Sequence, residues 1–135
     1  MKKKNKVHYM LIVDDDEIDC IHVERELEKL NLPLTLRMVK DGVEALNLLN
    51  GTNTATVIIP TIIVLDLMMP RMNGLEFLKI FRTYSKFNSV KVFVLTTSNN
   101  NKDKIATQNF HIDGYFIKDT QFNEFINQCK NVLKA

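Results

Sequence analysis

Asp14, Asp15 and Asp16 stand directly after the apolar run Met10-Leu11-Ile12-Val13. A second apolar run, Ile62-Ile63-Val64-Leu65, stops as abruptly at Asp66. Open α/β sheets hold their ligand sites at the carboxyl ends of the strands, so these carboxylates sit where chemistry is expected. If the two runs are neighbouring parallel strands, three or four carboxylates share one small volume. Such a cluster repels itself unless a cation balances it. A hard divalent ion such as Mg2+, bound through oxygen, is the simplest partner. Thr96 ends a further apolar run and Lys118 another. A hydroxyl and an ammonium beside a metal could hold a phosphoryl group, with Asp66 as a nucleophile that forms an acyl phosphate. Lys118 would bring a compact cation to one phosphate oxygen.

The elements that would position these residues alternate. Tyr9 to Val13 reads as a strand, and Asp16 can cap a helix over about 17–30. Leu34 to Val39 alternates apolar and polar residues, as a half-exposed strand does. Asp41-Gly42 turns into a short helix that stops near Asn50-Gly51. Thr61 to Leu65 is apolar almost throughout, which suits a strand buried on both faces. Asn73-Gly74 opens a helix bearing Leu75, Leu78 and Phe81. Val90 to Leu95 is a fourth strand, a weaker helix spans about 102–110, and Gly114 to Ile117 is a fifth strand. Phe122, Phe125, Ile126, Cys129, Val132 and Leu133 recur three and four apart, which marks a last amphipathic helix. Five strands alternating with five helices predict a five-stranded parallel sheet, doubly wound in flavodoxin-like fashion.

Size and charge narrow the function. The 135 residues make one domain, 1–135, and an apolar content of 45% is enough for an ordinary core. A formal charge of +2 is too mild for a nucleic-acid-binding chain, although Lys2, Lys3, Lys4 and Lys6 make residues 1–7 a basic tail. No apolar stretch reaches the roughly 18 residues of a membrane span, and the basic start lacks a signal-peptide core. The expectation is a cytoplasmic protein without nucleic-acid or membrane partners. Cys20 and Cys129 fall at apolar helix positions and read as buried reduced thiols. His8, His22 and His111 show no metal spacing and read as surface residues.

The strand-end residues also form a pattern. Val13-Asp14-Asp15, Leu65-Asp66-Leu67-Met68-Met69-Pro70, Asn73-Gly74, Leu95-Thr96-Thr97-Ser98 and Gly114-Tyr115-Phe116-Ile117-Lys118 occur in that order. Asp66 and Thr96 lie 30 residues apart, and Thr96 and Lys118 lie 22 apart. Over about residues 8–134 the chain resembles the receiver domain of two-component response regulators. The resemblance implies strand order 2-1-3-4-5. It implies that Asp66 accepts a phosphoryl group from a histidine kinase, with Mg2+ as cofactor. Asp15 and Asp66 would be metal ligands, Asp14 would act through water, and the Met68 backbone carbonyl would complete the protein's share. Thr96 and Lys118 would contact the phosphoryl group. Tyr115 matches an aromatic switch position that turns inward when Thr96 moves. Asp16 lies one place past the usual pair and reads as a helix cap.

Three departures follow. Proline usually follows the lysine, often through a cis bond, whereas Asp119 stands here. A non-proline cis bond costs about 3 kcal/mol, so the expectation is a trans bond with a shifted loop or a strained cis bond. Asp119 could also pair with Lys118 and compete with phosphate. Met68, two places past Asp66, cannot orient an attacking water, which predicts slow loss of phosphate. The stretch from Asn50 to Pro60 is longer than in the shortest receivers and, with Leu95 to Ser98, resembles the phytochrome-associated regulators.

Turn and cap geometry alone could explain Asp14 to Asp16, but Asp66 follows four apolar residues and needs a partner. A Mg2+-dependent phosphohydrolase usually carries a second acid two residues past its nucleophile, and Met68 occupies that place. A degenerate, phosphorylation-independent interaction module fits the Asp119 departure but not the retention of Asp15, Asp66, Thr96 and Lys118. No DNA-binding or catalytic segment follows Ala135, so the expectation is a single-domain regulator acting by contact. Its partners would be a histidine kinase, a phosphotransfer protein or a downstream protein target. The expected output face, which could also make a homodimer, is the fourth helix, fifth strand and fifth helix.

Overall fold

The structure is a computed structural model that describes residues 7–51 and 59–135. Most of the basic tail and the middle of the Asn50 to Pro60 extension lie outside the described residues. Five strands and five helices alternate: β1 (His8–Val13), α1 (Glu17–Glu28), β2 (Leu34–Val39), α2 (Gly42–Leu49), β3 (Ile62–Leu65), α3 (Gly74–Phe81), β4 (Lys91–Thr96), α4 (Asn101–Gln108), β5 (Gly114–Ile117) and α5 (Phe122–Lys134). All strand pairs are parallel, and their order is β2-β1-β3-β4-β5.

Strand alternation divides the core in two. Met10 and Ile12 of β1 face Cys20, Val23 and Leu27 of α1 and Phe125, Cys129 and Leu133 of α5. Leu11 and Val13 face the other way, into Ala45 and Leu49 of α2 and Phe77, Leu78 and Phe81 of α3. Burial on both faces explains why β3 is apolar at every position. Cys20 and Cys129 are buried free thiols, and burial drives both thiol pKa values up to about 12.

Caps fix where the helices begin. Asp16 accepts from the backbone N–H groups of Ile18 and Asp19, so it is a cap, as its place in the sequence predicts. Asn73 and Glu76 form a reciprocal capping box at α3. Helix α1 ends at Glu28 rather than near Leu30, because Asn31 takes a left-handed turn at φ 53° ahead of Pro33. Helix α4 buries only Thr107, which is why its sequence signal is weak.

Neighbouring β1 and β3 are the switch point of the sheet, where chain connections diverge to opposite faces. The crevice at their carboxyl ends is the place for a ligand.

Candidate functional site

Backbone pairing continues one residue past the strands and fixes the site's main chain. The Asp14 N–H donates to Val39 O at 3.0 Å, and the Asp66 N–H to Val13 O at 3.0 Å. The Lys118 N–H donates to Thr96 O at 2.8 Å. Asp14, Asp15, Asp66, Thr96 and Lys118 therefore meet at one sheet edge, as their spacing predicts. Asp14 and Asp66 are only 7% and 6% exposed, Thr96 is fully buried, and Asp15 is exposed.

Asp14, Asp15 and Asp66 each present a carboxylate oxygen, all within 4.8 Å of one another. That all-oxygen donor set, open to solvent through Asp15, fits a hard divalent cation such as Mg2+. Burial, with the nearby Asp66 charge, raises the Asp14 carboxyl to a pKa of about 6, against the opposing pull of the Asp16 N–H and Lys118. Two close carboxylates in a dry crevice thus carry more negative charge than the protein alone offsets.

The balancing cation within the chain is Lys118. Its Nζ donates to Asp19 Oδ2 at 2.6 Å, to Asp14 Oδ2 at 2.9 Å and to Asp66 Oδ2 at 3.4 Å. Burial alone would lower the ammonium's pKa, but the carboxylates outweigh it and hold the pKa above that of ordinary lysine. One ammonium serves three acids, so lysine gains in full while each acid receives a share. That division explains how Asp14 and Lys118 both titrate high.

One expectation about this loop is corrected and a second is narrowed. Asp119 does not pair with Lys118; the partners are Asp14, Asp19 and Asp66, and Asp119 is exposed. Strand β5 ends at Ile117, so Lys118 and Asp119 lie in the turn that follows it, where Asp119 stays exposed to solvent. The Lys118–Asp119 bond is trans, one of the two expected geometries, and Lys118 keeps its place in the cluster.

Asp19 is the residue that sequence reading missed. It lies in the first turn of α1, three residues past the Asp16 cap. Helical side chains lean toward the amino terminus, which here is the ligand edge of the sheet. That rule would have flagged it.

On the far side, the Thr96 hydroxyl oxygen accepts from the Ser98 N–H at 3.3 Å. The Tyr115 hydroxyl donates to Ser98 O at 2.9 Å. The half-buried Tyr115 ring is thus tied to the loop that begins at Thr96. The Met68 side chain is 66% exposed at the crevice mouth, and its N–H approaches Asp66 Oδ1 at 3.4 Å. Below the loop after β3, Arg71 Nε donates to Asp41 Oδ2 at 2.8 Å, and the Gly42 N–H to Met72 O at 3.2 Å. These bonds anchor the loop carrying Met68 to the start of α2. His22 stacks on Phe122 with ring centroids 4.1 Å apart, and His8 bonds Thr61.

The family model of the response regulator receiver domain matches residues 10–130. The chain belongs to that family. Rcp1 of Synechocystis is 26% identical over 134 residues, covering 96% of this chain and 89% of Rcp1. A solved structure of Rcp1 in its Mn2+-bound form has a TM-score of 0.78 over 93% of this chain and 91% of that one. A two-component response regulator from Legionella pneumophila is 38% identical with a TM-score of 0.83, covering 96% of this chain and all of its own. The phosphorylated cyanobacterial phytochrome response regulator RcpA has a TM-score of 0.80 at 25% identity, covering 94% of this chain and 91% of its own. The resemblance to phytochrome-associated regulators read from the sequence agrees with these similarities. Among the described residues no helix of the receiver is long and apolar enough to cross a membrane.

Proposed function

We propose that this receiver accepts a phosphoryl group on Asp66 from a histidine kinase and signals by protein contact. The observation that carries the reading is the Lys118 ammonium, 3.4 Å from the Asp66 carboxylate beside two further acids of the crevice. An Asp66 oxygen attacks the phosphorus of a phosphohistidine. The new P–O bond forms as the P–N bond breaks, and the departing imidazole takes up a proton. Asp66 is nearly buried, so few waters compete with the incoming phosphorus. Lys118 turns a donor to one phosphoryl oxygen, and the Thr96 hydroxyl donates to another. Asp15 and Asp66, with the Met68 carbonyl and Asp14 through water, would hold Mg2+. When bound, Mg2+ supplies charge neutralisation for the transferring oxygens.

Thr96 is also the start of the signal. Turning its hydroxyl toward the phosphoryl group breaks its contact with the Ser98 N–H. Ser98 in turn holds Tyr115, so the event reaches the α4–β5–α5 face. The phosphoryl group then biases two states of that face, which docks a target, a phosphotransfer protein or a second copy. The degenerate reading rested on Asp119, which is exposed and makes no ion pair with Lys118.

The test is incubation with Mg2+ and acetyl phosphate, followed by intact mass. The expected outcome is one added phosphoryl group, absent in Asp66→Asn. A gain that survives in Asp66→Asn, or no gain in the native chain, contradicts the proposal.

Two further outcomes are expected. The folded pKa of Asp14, near 6, exceeds the ordinary carboxyl value of 3.8. The folded protein therefore binds the extra proton between these values, and this group's contribution to stability falls as pH rises from about 4 to about 6. Mg2+ has to displace that proton, so its affinity by calorimetry should be about tenfold weaker at pH 5 than at pH 7. Equal affinities would refute the assignment of Asp14. Met68→Asn places an amide able to orient water beside the acyl phosphate, and phosphate loss should speed up about tenfold. An unchanged half-life would mean that Met68 does not limit hydrolysis.

A further inference from the structure

We infer that Asp19 is a positioning residue that holds Lys118 in the resting state, in competition with the phosphoryl group. This rests on the reading of Asp66 given above and adds a control on it. The Lys118 ammonium has three N–H donors. Asp19, Asp14 and Asp66 occupy all three, at 2.6, 2.9 and 3.4 Å. A phosphoryl oxygen can gain a bond from Lys118 only if one of these acids gives one up.

The three acids differ in what can replace the lysine. Asp14 and Asp66 belong to the carboxylate cluster and share any cation held there. Asp19 stands outside that cluster, so Lys118 is its one cationic neighbour within ion-pair range among the described residues. It also makes the shortest of the three contacts. Its backbone is held by the Asp16 cap on the first turn of α1, so it cannot follow the ammonium toward Asp66. Asp19 therefore keeps its pull on Lys118 while the phosphoryl group arrives, and its own charge repels the phosphoryl oxygens. Both effects raise the free energy of the phosphorylated state.

Beryllofluoride, a tetrahedral phosphoryl mimic that bonds a carboxylate oxygen, measures this as a binding equilibrium free of hydrolysis. The full chain is titrated with it at fixed Mg2+, alongside Asp19→Asn, Asp19→Ala and Glu17→Gln. Glu17→Gln removes the same charge from the same helical turn without touching Lys118. Asp19→Asn and Asp19→Ala should lower the half-saturating concentration about tenfold, the scale of one bond to a charged group. Glu17→Gln should change it less than about twofold. Asp19 variants that bind no tighter than Glu17→Gln overturn the inference. Variants that bind more weakly overturn it too, since Asp19 would then be aiming Lys118 at the phosphoryl group. A native chain that binds Mg2+ but no beryllofluoride overturns the Asp66 reading itself, and this inference with it.

Discussion

Replacing Lys118 with methionine is expected to cost about 3 kcal/mol of stability at pH 8 without divalent cations, since it strands buried charge. Lys118 is 10% exposed and compensates three carboxylates within 3.4 Å. Methionine keeps the length and the packing, so the loss is one of charge. The pH dependence follows from the signs. A lysine whose folded pKa is raised contributes its full stabilisation below the ordinary lysine value, so the native contribution is flat from pH 5 to 9. Without it, Asp14 holds a proton to still higher pH. The deficit should shrink as pH falls through 6, when protonation removes the repulsion. Mg2+ should recover more stability in the variant than in the native chain, because it no longer competes with an ammonium. Thermal melts at pH 5 and 8, with and without Mg2+, check all three points. A variant as stable as the native chain at pH 8 without Mg2+ would mean that Lys118 does not balance the cluster.

Gly74→Ala is the second large effect, and its sign is informative. Helix propensity alone favours alanine by about 0.5–1 kcal/mol near the start of α3. The packing says the opposite. A Cβ at Gly74 would lie 2.4 Å from the Asp66 carbonyl oxygen and 2.9 Å from Leu67 Cα, both backbone atoms. Helix and loop would have to separate, which costs about 2–3 kcal/mol net of propensity. The displaced strand end carries Asp66, so beryllofluoride and Mg2+ binding should weaken together with stability. Denaturant melts and the same titrations measure both, and a stabilised variant would mean that the close approach at Gly74 does not constrain the site.

The legible parts of this molecule are those governed by short-range rules. The parallel, doubly wound sheet follows from apolar runs that alternate with amphipathic helices, and its order 2-1-3-4-5 from the resemblance to receiver domains. The meeting of Asp14, Asp66, Thr96 and Lys118 follows because parallel strands send all their carboxyl ends to one edge. The pairing of Lys118 was not fully legible in this way. Asp19 lies 99 residues away, and its place in the first turn of α1 points it to the ligand edge without naming its partner there. Asp119 is adjacent and opposite in charge, so proximity in sequence suggested a pair, but the Lys118 ammonium is taken up by Asp14, Asp19 and Asp66. The Arg71–Asp41 bond was hidden for the same reason as Asp19, since it joins two loops 30 residues apart. Helix α4 was faint because it buries a single threonine and so lacks an apolar stripe.

The most direct measurement is to find the residue that carries the phosphoryl group. After incubation with acetyl phosphate and Mg2+, borohydride attacks the acyl carbon of an aspartyl phosphate, expels phosphate and leaves homoserine after a second hydride. Peptide mass spectrometry then reads the position. Homoserine at 66, dependent on both acetyl phosphate and Mg2+, is the result expected here. Homoserine at 14, 15 or 19 in place of 66, or none in a chain that binds Mg2+, would contradict the central claim.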